Sequence, residues 1–365
     1  MLHEQIRQLE EAAGFSFQTI AENLSNVFLF LLIFGMSATV DTKTVLGQLT
    51  NKFAILTAVG MQFIIMPFLG YLAIVLLQAY GGEGLSQAMG LTLLIVTASP
   101  GGSYSNWWCS TFNADLGLSV AMTAISTILS IAMLPANLML YAHVAYGFSS
   151  DQEEGILGSL DFSSLFVALG IVICAISLGL FASYSFPNPT FQIRANQMGS
   201  ISGILLIASG FLLSAGPAEE EESEQISTTS PIANYIGVAF PCVVGLVLAN
   251  VLASSAGLAK PEVVTIAVEC CYQNVGIAMA AAVNMFPDKH QRAEALFVPL
   301  FYGLVEAVVI GLYCVIAWKI NWTKAPASDP LWKVMAMTYE VSAKKTDEEV
   351  TSLNDGGKSG YSSIV

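Results

Sequence analysis

Long apolar segments occupy most of this sequence, and they constrain its fold more than any other feature. A membrane-spanning helix needs about 20 mainly apolar residues. Charged residues make up only 11% of the chain and fall mostly between the long segments. This pattern excludes an ordinary soluble domain and predicts an all-α polytopic membrane protein with nine transmembrane helices. The predicted spans are Leu24–Val40, Phe53–Ala79, Leu85–Thr111, Leu116–Val144, Phe162–Tyr184, Gln197–Ala215, Pro231–Ala253, Val263–Phe286 and Ala295–Trp318.

The distribution of basic residues predicts the orientation of the chain in the membrane. Nine crossings put the two ends on opposite sides, and a cytosolic C-terminus places ten of the 13 lysines and arginines inside. We therefore expect a plasma-membrane protein with residues 1–23 outside and residues 319–365 as a cytosolic tail, mobile from Asn321 onward. The net charge of −14 comes mainly from outer loops and the tail, so it indicates no nucleic-acid partner. The last residues, Ser363, Ile364 and Val365, also fit a PDZ-type groove.

The eighth predicted span carries a carboxylate in its middle, Glu269, followed by Gln273 and Asn274. Near the centre of a bilayer a carboxylate costs at least about 2.5 to 3.5 kcal/mol. Such a residue normally faces a cavity, an ion or a partner. The position of Glu269 therefore predicts a functional site.

The third predicted span contains a run, from Ser99 to Asn106, that cannot continue a regular helix. Opened backbone at membrane depth is tolerated where it lines a cavity or is covered by protein. It offers carbonyl groups to cations and a helix N-terminus to anions. In the fourth span, Ser119 and Thr123 share one helix face. Their hydroxyls either bond to their own helix or supply oxygens to an alkali ion.

Two further polar residues lie inside predicted spans and each fits more than one role. Gln62, five residues before the helix-kinking Pro67, fits a ligand role and a role in gluing helices together. Glu306 is a second intramembrane acid, which either pairs with a polar group of the bundle or senses protons or cations.

The seventh to ninth spans repeat the features of the second to fourth. Pro241 parallels Pro67, and Gln273–Asn274 parallels Ser105–Asn106. Corresponding members are an odd number of places, five, apart in the order of spans, so the two units run in opposite directions through the bilayer. Paired polar interruptions in two inverted halves are a sequence signature of a transporter's midplane binding site.

The chain resembles the sodium/bile acid cotransporter family, the bile acid:sodium symporters. The resemblance covers most of the chain and rests on spaced motifs in the correct order: Phe34-Gly35-Met36, Gln62 with Pro67, Pro100-Gly101-Gly102, Ser105-Asn106, Leu118-Ser119-Val120 with Thr123, and Glu269 with Gln273-Asn274. It implies a transporter domain over residues 24–318 with two crossed, discontinuous helices. The implied core is residues 53–144 and 231–318, and the implied panel is residues 24–40 and 162–215.

The resemblance also implies two sodium sites and a substrate-facing crossing. The first sodium would be held by Ser105, Asn106, Ser119, Thr123 and Glu269. The second would be held by Gln62, Glu269, Gln273 and backbone oxygens near Cys270 and Tyr272. Ser103 and Asn274 would face the substrate. Two positions depart from the family's usual pattern: Cys271 replaces a glycine and Glu306 a glutamine.

These features predict a transporter and not an enzyme. We expect a symporter that imports amphipathic organic anions, bile-acid-like or sulfonated and steroid-like, with two sodium ions by alternating access. A carrier of small carboxylates, proton-coupled through Glu306, is one alternative. A non-transporting membrane sensor with the same fold is another.

Overall fold

The computed structural model describes residues 24, 26–80, 85–102, 104–147, 162–214, 232–286 and 288–339. The predicted outer segment, residues 1–23, and the C-terminal end proposed for a PDZ-type partner lie outside these residues. The described part of the chain is helical and contains no β-strand. The prediction of an all-helical chain is therefore confirmed for these residues.

Fourteen helices follow one another along the described residues, and we number them in chain order. They are α1 (Asn26–Thr39), α2 (Thr42–Gln48), α3 (Lys52–Gly60), α4 (Met66–Tyr80), α5 (Gln87–Ala98), α6 (Tyr104–Thr111), α7 (Leu116–Tyr146), α8 (Phe162–Ser185), α9 (Pro189–Ser214), α10 (Ile232–Ser255), α11 (Lys260–Cys271), α12 (Val275–Met285), α13 (Lys289–Lys319) and α14 (Leu331–Ala336).

Each predicted span corresponds to one helix or to two successive helices. Within the described ranges, four helices are long and apolar enough to cross a membrane: Lys52–Tyr80, Leu116–Tyr146, Ile232–Ser255 and His290–Lys319. Helices α1 and α2, bent by 91° to each other, make a fifth if they count as one span. The third and eighth predicted spans are each divided, into α5 and α6 and into α11 and α12.

A π-helical turn, Met61–Ile65, joins α3 to α4 and contains the buried Gln62. Pro67 follows directly, and because proline has no N–H it leaves the carbonyl of Phe63 without its helical donor. That carbonyl accepts a hydrogen bond from Nδ2 of Asn137 in α7, at 3.1 Å. This carbonyl, freed by Pro67, thus links the helix to α7.

Glycines allow α1 to approach α8 and α9 closely. A Cβ atom on Gly35 would lie 2.6 Å from the carbonyl oxygen of Ala195 and 2.7 Å from Cα of Gly199. On the other side, a Cβ atom on Gly179 would lie 2.6 Å from the carbonyl oxygen of Phe34. Small residues at such contacts are typical of tightly packed membrane helices.

The helices of the two repeated units pack in corresponding pairs. Helix α4 packs on α5 as α10 packs on α11, and α6 contacts α7 as α12 contacts α13. Across the two units, α5 packs on α13 and its counterpart α11 packs on α7. Helices α5 and α12 contribute to one large apolar cluster, whereas α6 and α11 contribute to others. The two breaks therefore lie where apolar clusters meet.

The chain after α13 is folded as far as residue 339, which corrects the expectation of a mobile tail from Asn321 onward. We call residues 321–339 the C-terminal segment. Asn113, in left-handed conformation at the end of α6, donates to the carbonyls of Val334 and Met337 and accepts from the N–H of Tyr339. Asn113 thereby fastens α14 and the residues after it to the turn between α6 and α7. The remaining tail residues lie outside the described part.

An acidic residue closes the C-terminal segment on itself. Asp329 pairs with Lys333 at 3.0 Å and accepts a hydrogen bond from the hydroxyl of Tyr339. These two donors hold the pKa of Asp329 below its ordinary value. A second ion pair, between Lys324 and Asp115 at 3.4 Å, joins the segment to the start of α7.

Candidate functional site: the crossing of two broken helices

The two broken helices meet at their breaks, where the extended chain of one pairs with that of the other. Gly101 and Gln273 form an antiparallel bridge. The N–H of Gly102 donates to the carbonyl of Tyr272 at 2.8 Å, and the N–H of Asn274 donates to that of Pro100 at 3.2 Å. Backbone groups that a membrane helix would satisfy internally are therefore satisfied between the breaks.

Glycine is required in the first break because the second break lies directly against it. A Cβ atom on Gly102 would lie 2.7 Å from the carbonyl oxygen of Gln273 and 2.8 Å from the ring of Tyr272. On Gly101 it would lie 3.0 Å from the carbonyl oxygen and 3.2 Å from Oε2 of Glu269. The Pro-Gly-Gly sequence therefore interrupts the helix and also leaves room for the second break to pack against it.

Glu269 lies beside this crossing and is only 3% exposed. Its carboxylate accepts hydrogen bonds from the hydroxyls of Ser119 and Thr123, the second at 3.2 Å. Asn106 completes the cluster, accepting from Ser119 at 2.8 Å and donating to Thr123 at 3.0 Å. Ser105, next to Asn106, donates to the carbonyl of Gly102 at 2.7 Å. The structure thus brings together on α6, α7 and α11 the residues predicted for a first ion site.

No lysine, arginine or histidine of the described residues pairs with Glu269. Hydroxyl groups alone do not neutralise a charge, and a buried charge without a countercharge is strongly unfavourable. The nearby oxygens of Asn106, Ser119 and Thr123 are the hard ligands that alkali and alkaline-earth cations prefer. No three His, Cys, Asp or Glu residues of the described part cluster as a transition-metal site would require.

A second polar cluster joins Gln62 to Gln273. Nε2 of Gln62 donates to Oε1 of Gln273 at 2.8 Å and to the carbonyl of Ser99 at 2.6 Å. Nε2 of Gln273 donates to the carbonyl of Cys270 at 2.6 Å. This arrangement brings together three of the residues predicted for a second ion site, and the carbonyl of Tyr272 is engaged by Gly102.

The predicted substrate-facing residues are placed only in part. Asn274 stands at the start of α12, where its carbonyl accepts from the N–H of Ile277 at 3.2 Å. Ser103 lies outside the described residues. Cys271, at the position where the resemblance implies glycine, is fully buried, with its sulfur 3.6 Å from the Cβ position of Gly245.

Two further groups take part in the crossing through contacts that the sequence does not identify. Oε2 of Glu306, in α13, accepts a hydrogen bond from the N–H of Gln273 at 2.9 Å, so this backbone amide is the polar group of the bundle with which Glu306 pairs. The carbonyl of Ser99 accepts a hydrogen bond from the Gln62 side chain, a contact that no sequence motif predicts. For Glu306 the signal was its intramembrane charge, but the sequence did not identify its partner.

Apolar helices surrounding a buried polar crossing define a multi-pass helical membrane protein of the transporter class. A profile of the Sodium Bile acid symporter family matches residues 26–215 of this chain. The chain therefore belongs to this family, as its resemblance predicted. Because the family comprises transporters, the expectation that the chain is not an enzyme is confirmed.

Several relatives are similar over most of their length. The ileal sodium/bile acid cotransporter of Mus musculus is 26% identical over 304 residues, covering 81% of this chain and 80% of the relative. The same protein of Homo sapiens is also 26% identical over 304 residues, covering 82% and 80%. The sodium-dependent organic anion transporter of Rattus norvegicus is 24% identical over 338 residues, covering 92% of this chain and 83% of the relative.

Proposed function

We propose that this protein is a sodium-coupled symporter that imports amphipathic organic anions, bile-acid-like or sulfonated and steroid-like, by alternating access. The observation that carries the proposal is Glu269, a buried carboxylate held by hydroxyl groups at a crossing of two broken helices. Relatives named as sodium/bile acid cotransporters and sodium-dependent organic anion transporters support the choice of ion and of substrate class.

Two sodium ions are proposed to bind at the crossing. The first binds oxygens of Ser105, Asn106, Ser119, Thr123 and Glu269. The second binds oxygens of Gln62, Gln273 and Glu269 and backbone carbonyls near Cys270 and Tyr272. The hydrogen bonds that already join these groups support the assignment, because they hold the oxygens close together. Two cations offset the buried carboxylate and make its charge tolerable.

Sodium and substrate are coupled through the geometry of the crossing. Each ion links elements from both units: α6 and α7 to α11 in the first site, and the π-helical turn to the α11–α12 break in the second. Bound sodium therefore stabilises the crossed arrangement. The N-termini of α6 and α12 favour an anionic group, which Ser103 and Asn274 help to bind. Bound sodium should therefore raise the affinity for the substrate, and linkage requires that the substrate raise the affinity for sodium by the same factor.

The proposed transport cycle moves one part of the molecule against another. Residues 53–144 and 231–318 form the core, and residues 24–40 and 162–215 form the panel. The close packing of α1 with α8 and α9 supports the panel as one unit. The antiparallel bridge between Gly101 and Gln273 supports an arrangement of two inverted halves, because the two breaks run in opposite directions there. We further propose nine spans in the plasma membrane, with the N-terminus outside and residues 319–365 in the cytosol.

The test is uptake of a panel of radiolabelled anions by cells expressing the protein, in sodium and in choline medium across a pH range. We expect sodium-dependent accumulation of amphipathic organic anions. Uptake of small carboxylates driven by a proton gradient in choline medium would instead identify a proton-coupled carrier. Binding without accumulation would identify a sensor.

A pair of variants on α11 tests the role of Glu269. Glu269→Ala should abolish sodium-driven uptake because it removes the carboxylate proposed for both ion sites. Glu262→Ala is the matched control, since Glu262 caps the N-terminus of the same helix and accepts from the N–H of Ala259 at 2.8 Å. Surface biotinylation measures the amount of each variant in the plasma membrane. Sodium-driven uptake retained by Glu269→Ala would refute the role assigned to Glu269.

A further inference from the structure

Glu306 is a second buried carboxyl group of the crossing, and the ion sites proposed above do not use it. It lies in α13 with 1% of its surface exposed. Its Oε2 accepts a hydrogen bond from the N–H of Gln273 at 2.9 Å. No lysine, arginine or histidine of the described chain pairs with it. A buried acidic group with such a specific partner needs a structural reason for its position.

The reason lies in the backbone of the second break. Where α11 ends, the following amides lose the regular helical pattern and must find other acceptors. The N–H of Tyr272 still bonds to Val268, and that of Asn274 bonds to Pro100 across the crossing. Between them, the N–H of Gln273 bonds to Glu306. This amide is therefore held in place by a side chain from α13.

The orientation of that amide determines where the side chain of Gln273 is directed. Its Oε1 accepts from Gln62, and its Nε2 donates to the carbonyl of Cys270. Gln62 in turn donates to Ser99, in the first break. A change in the backbone at residue 273 thus displaces an oxygen proposed to bind the second sodium ion.

We propose that Glu306 is a positioning residue for the second sodium site, acting through the backbone amide of Gln273 without binding the ion. The proposal rests on the sodium-coupled function proposed above. Its central requirement is a hydrogen-bond acceptor at position 306. Both a carboxylate and a side-chain amide meet this requirement with a carbonyl-type oxygen, whereas a methionine of similar length offers only a weakly accepting sulfur.

The experiment compares Glu306→Met, Glu306→Gln and Tyr302→Phe. Tyr302 is the matched control, since it lies one turn earlier in α13, is fully buried, and its hydroxyl has no hydrogen-bond partner in the described structure. The sodium concentration for half-maximal uptake and the substrate KM at saturating sodium are measured. In purified protein, thermal unfolding is followed as sodium replaces choline.

We expect Glu306→Met to raise the half-saturating sodium concentration about tenfold or more, as for the loss of one strong buried hydrogen bond. Substrate KM at saturating sodium should change little. The half-saturating sodium concentrations of Glu306→Gln and Tyr302→Phe should stay within about twofold of the wild-type value. The first variant keeps an acceptor at position 306, and the second leaves Glu306 unchanged.

Two results would overturn the inference. One is an unchanged sodium requirement in a folded Glu306→Met protein. The other is a rise of about tenfold in the half-saturating sodium concentration of Glu306→Gln relative to the wild type, because this variant keeps an acceptor. That comparison decides the question even if the methionine variant does not fold. Failure of the proposed function is distinguishable, because the wild-type protein would then show neither sodium-dependent uptake nor sodium-dependent thermal stabilisation.

Discussion

Gln62 donates a hydrogen bond of 2.8 Å to the side chain of Gln273, 211 positions later in the chain. Both side chains are buried, 2% and 1% exposed. The bond joins the π-helical turn before α4 to the break between α11 and α12, and so connects the two repeated units at their centre. Since π-helical turns are frequent at functional sites, the position of Gln62 agrees with a ligand role.

Replacing Gln62 with leucine should weaken sodium-driven uptake strongly. The change removes a proposed sodium ligand and leaves Oε1 of Gln273 without its buried donor, at a cost of about 1 to 3 kcal/mol. Gln78→Leu is the control, because Gln78 is exposed on α4 of the same continuous helix. Sodium activation curves for uptake provide the measurement. Equal curves for the two variants would contradict the role of Gln62.

Gly102→Ala should disrupt the crossing. The added methyl group would meet the carbonyl oxygen of Gln273 at 2.7 Å, a contact with backbone that cannot rotate away. We expect loss of sodium-driven uptake with the protein still at the cell surface. Gly47→Ala serves as control, since nothing lies within 4 Å of its Cβ position. Wild-type uptake by Gly102→Ala would show that the two breaks are less tightly apposed.

Gly35→Ala should destabilise the packing of α1 against α9. Its Cβ would lie 2.6 Å from a carbonyl oxygen of α9, and overpacking of this kind typically costs about 1 to 3 kcal/mol. Gly170→Ala, in open surroundings on α8, should be neutral or slightly stabilising. Thermal unfolding of the purified variants tests this expectation. A melting temperature for Gly35→Ala equal to that of Gly170→Ala would argue against it.

Asn113→Gly should release the C-terminal segment from the helix bundle. Glycine keeps the left-handed backbone, φ 58° at Asn113, but loses the three side-chain hydrogen bonds to residues 334, 337 and 339. Amide hydrogen exchange in α14 should become about tenfold faster or more. Asn321→Gly is the matched control, because Asn321 has almost the same backbone conformation, φ 59°. Unchanged exchange would show that Asn113 does not fasten the segment.

Much of the architecture was predictable because a membrane leaves a chain few options. Apolar length gave the positions of the helices, including both ends of Lys52–Tyr80 to within one residue of the predicted span. The interruptions at Pro100 and at Gln273 were readable because neither run suits an unbroken helix in lipid. Glu269 identified the candidate site because a lone carboxylate is expensive there.

The tertiary structure decided which distant groups meet. Three contacts depend on packing between residues that are far apart in sequence. Glu306 accepts from the amide of Gln273, and Asn137 donates to the carbonyl freed by Pro67. Asn113 fastens the C-terminal segment. Composition and periodicity report how each segment partitions between lipid and water. They carry no information on the rotation and approach of one helix relative to another, and these set the hydrogen bonds of the crossing.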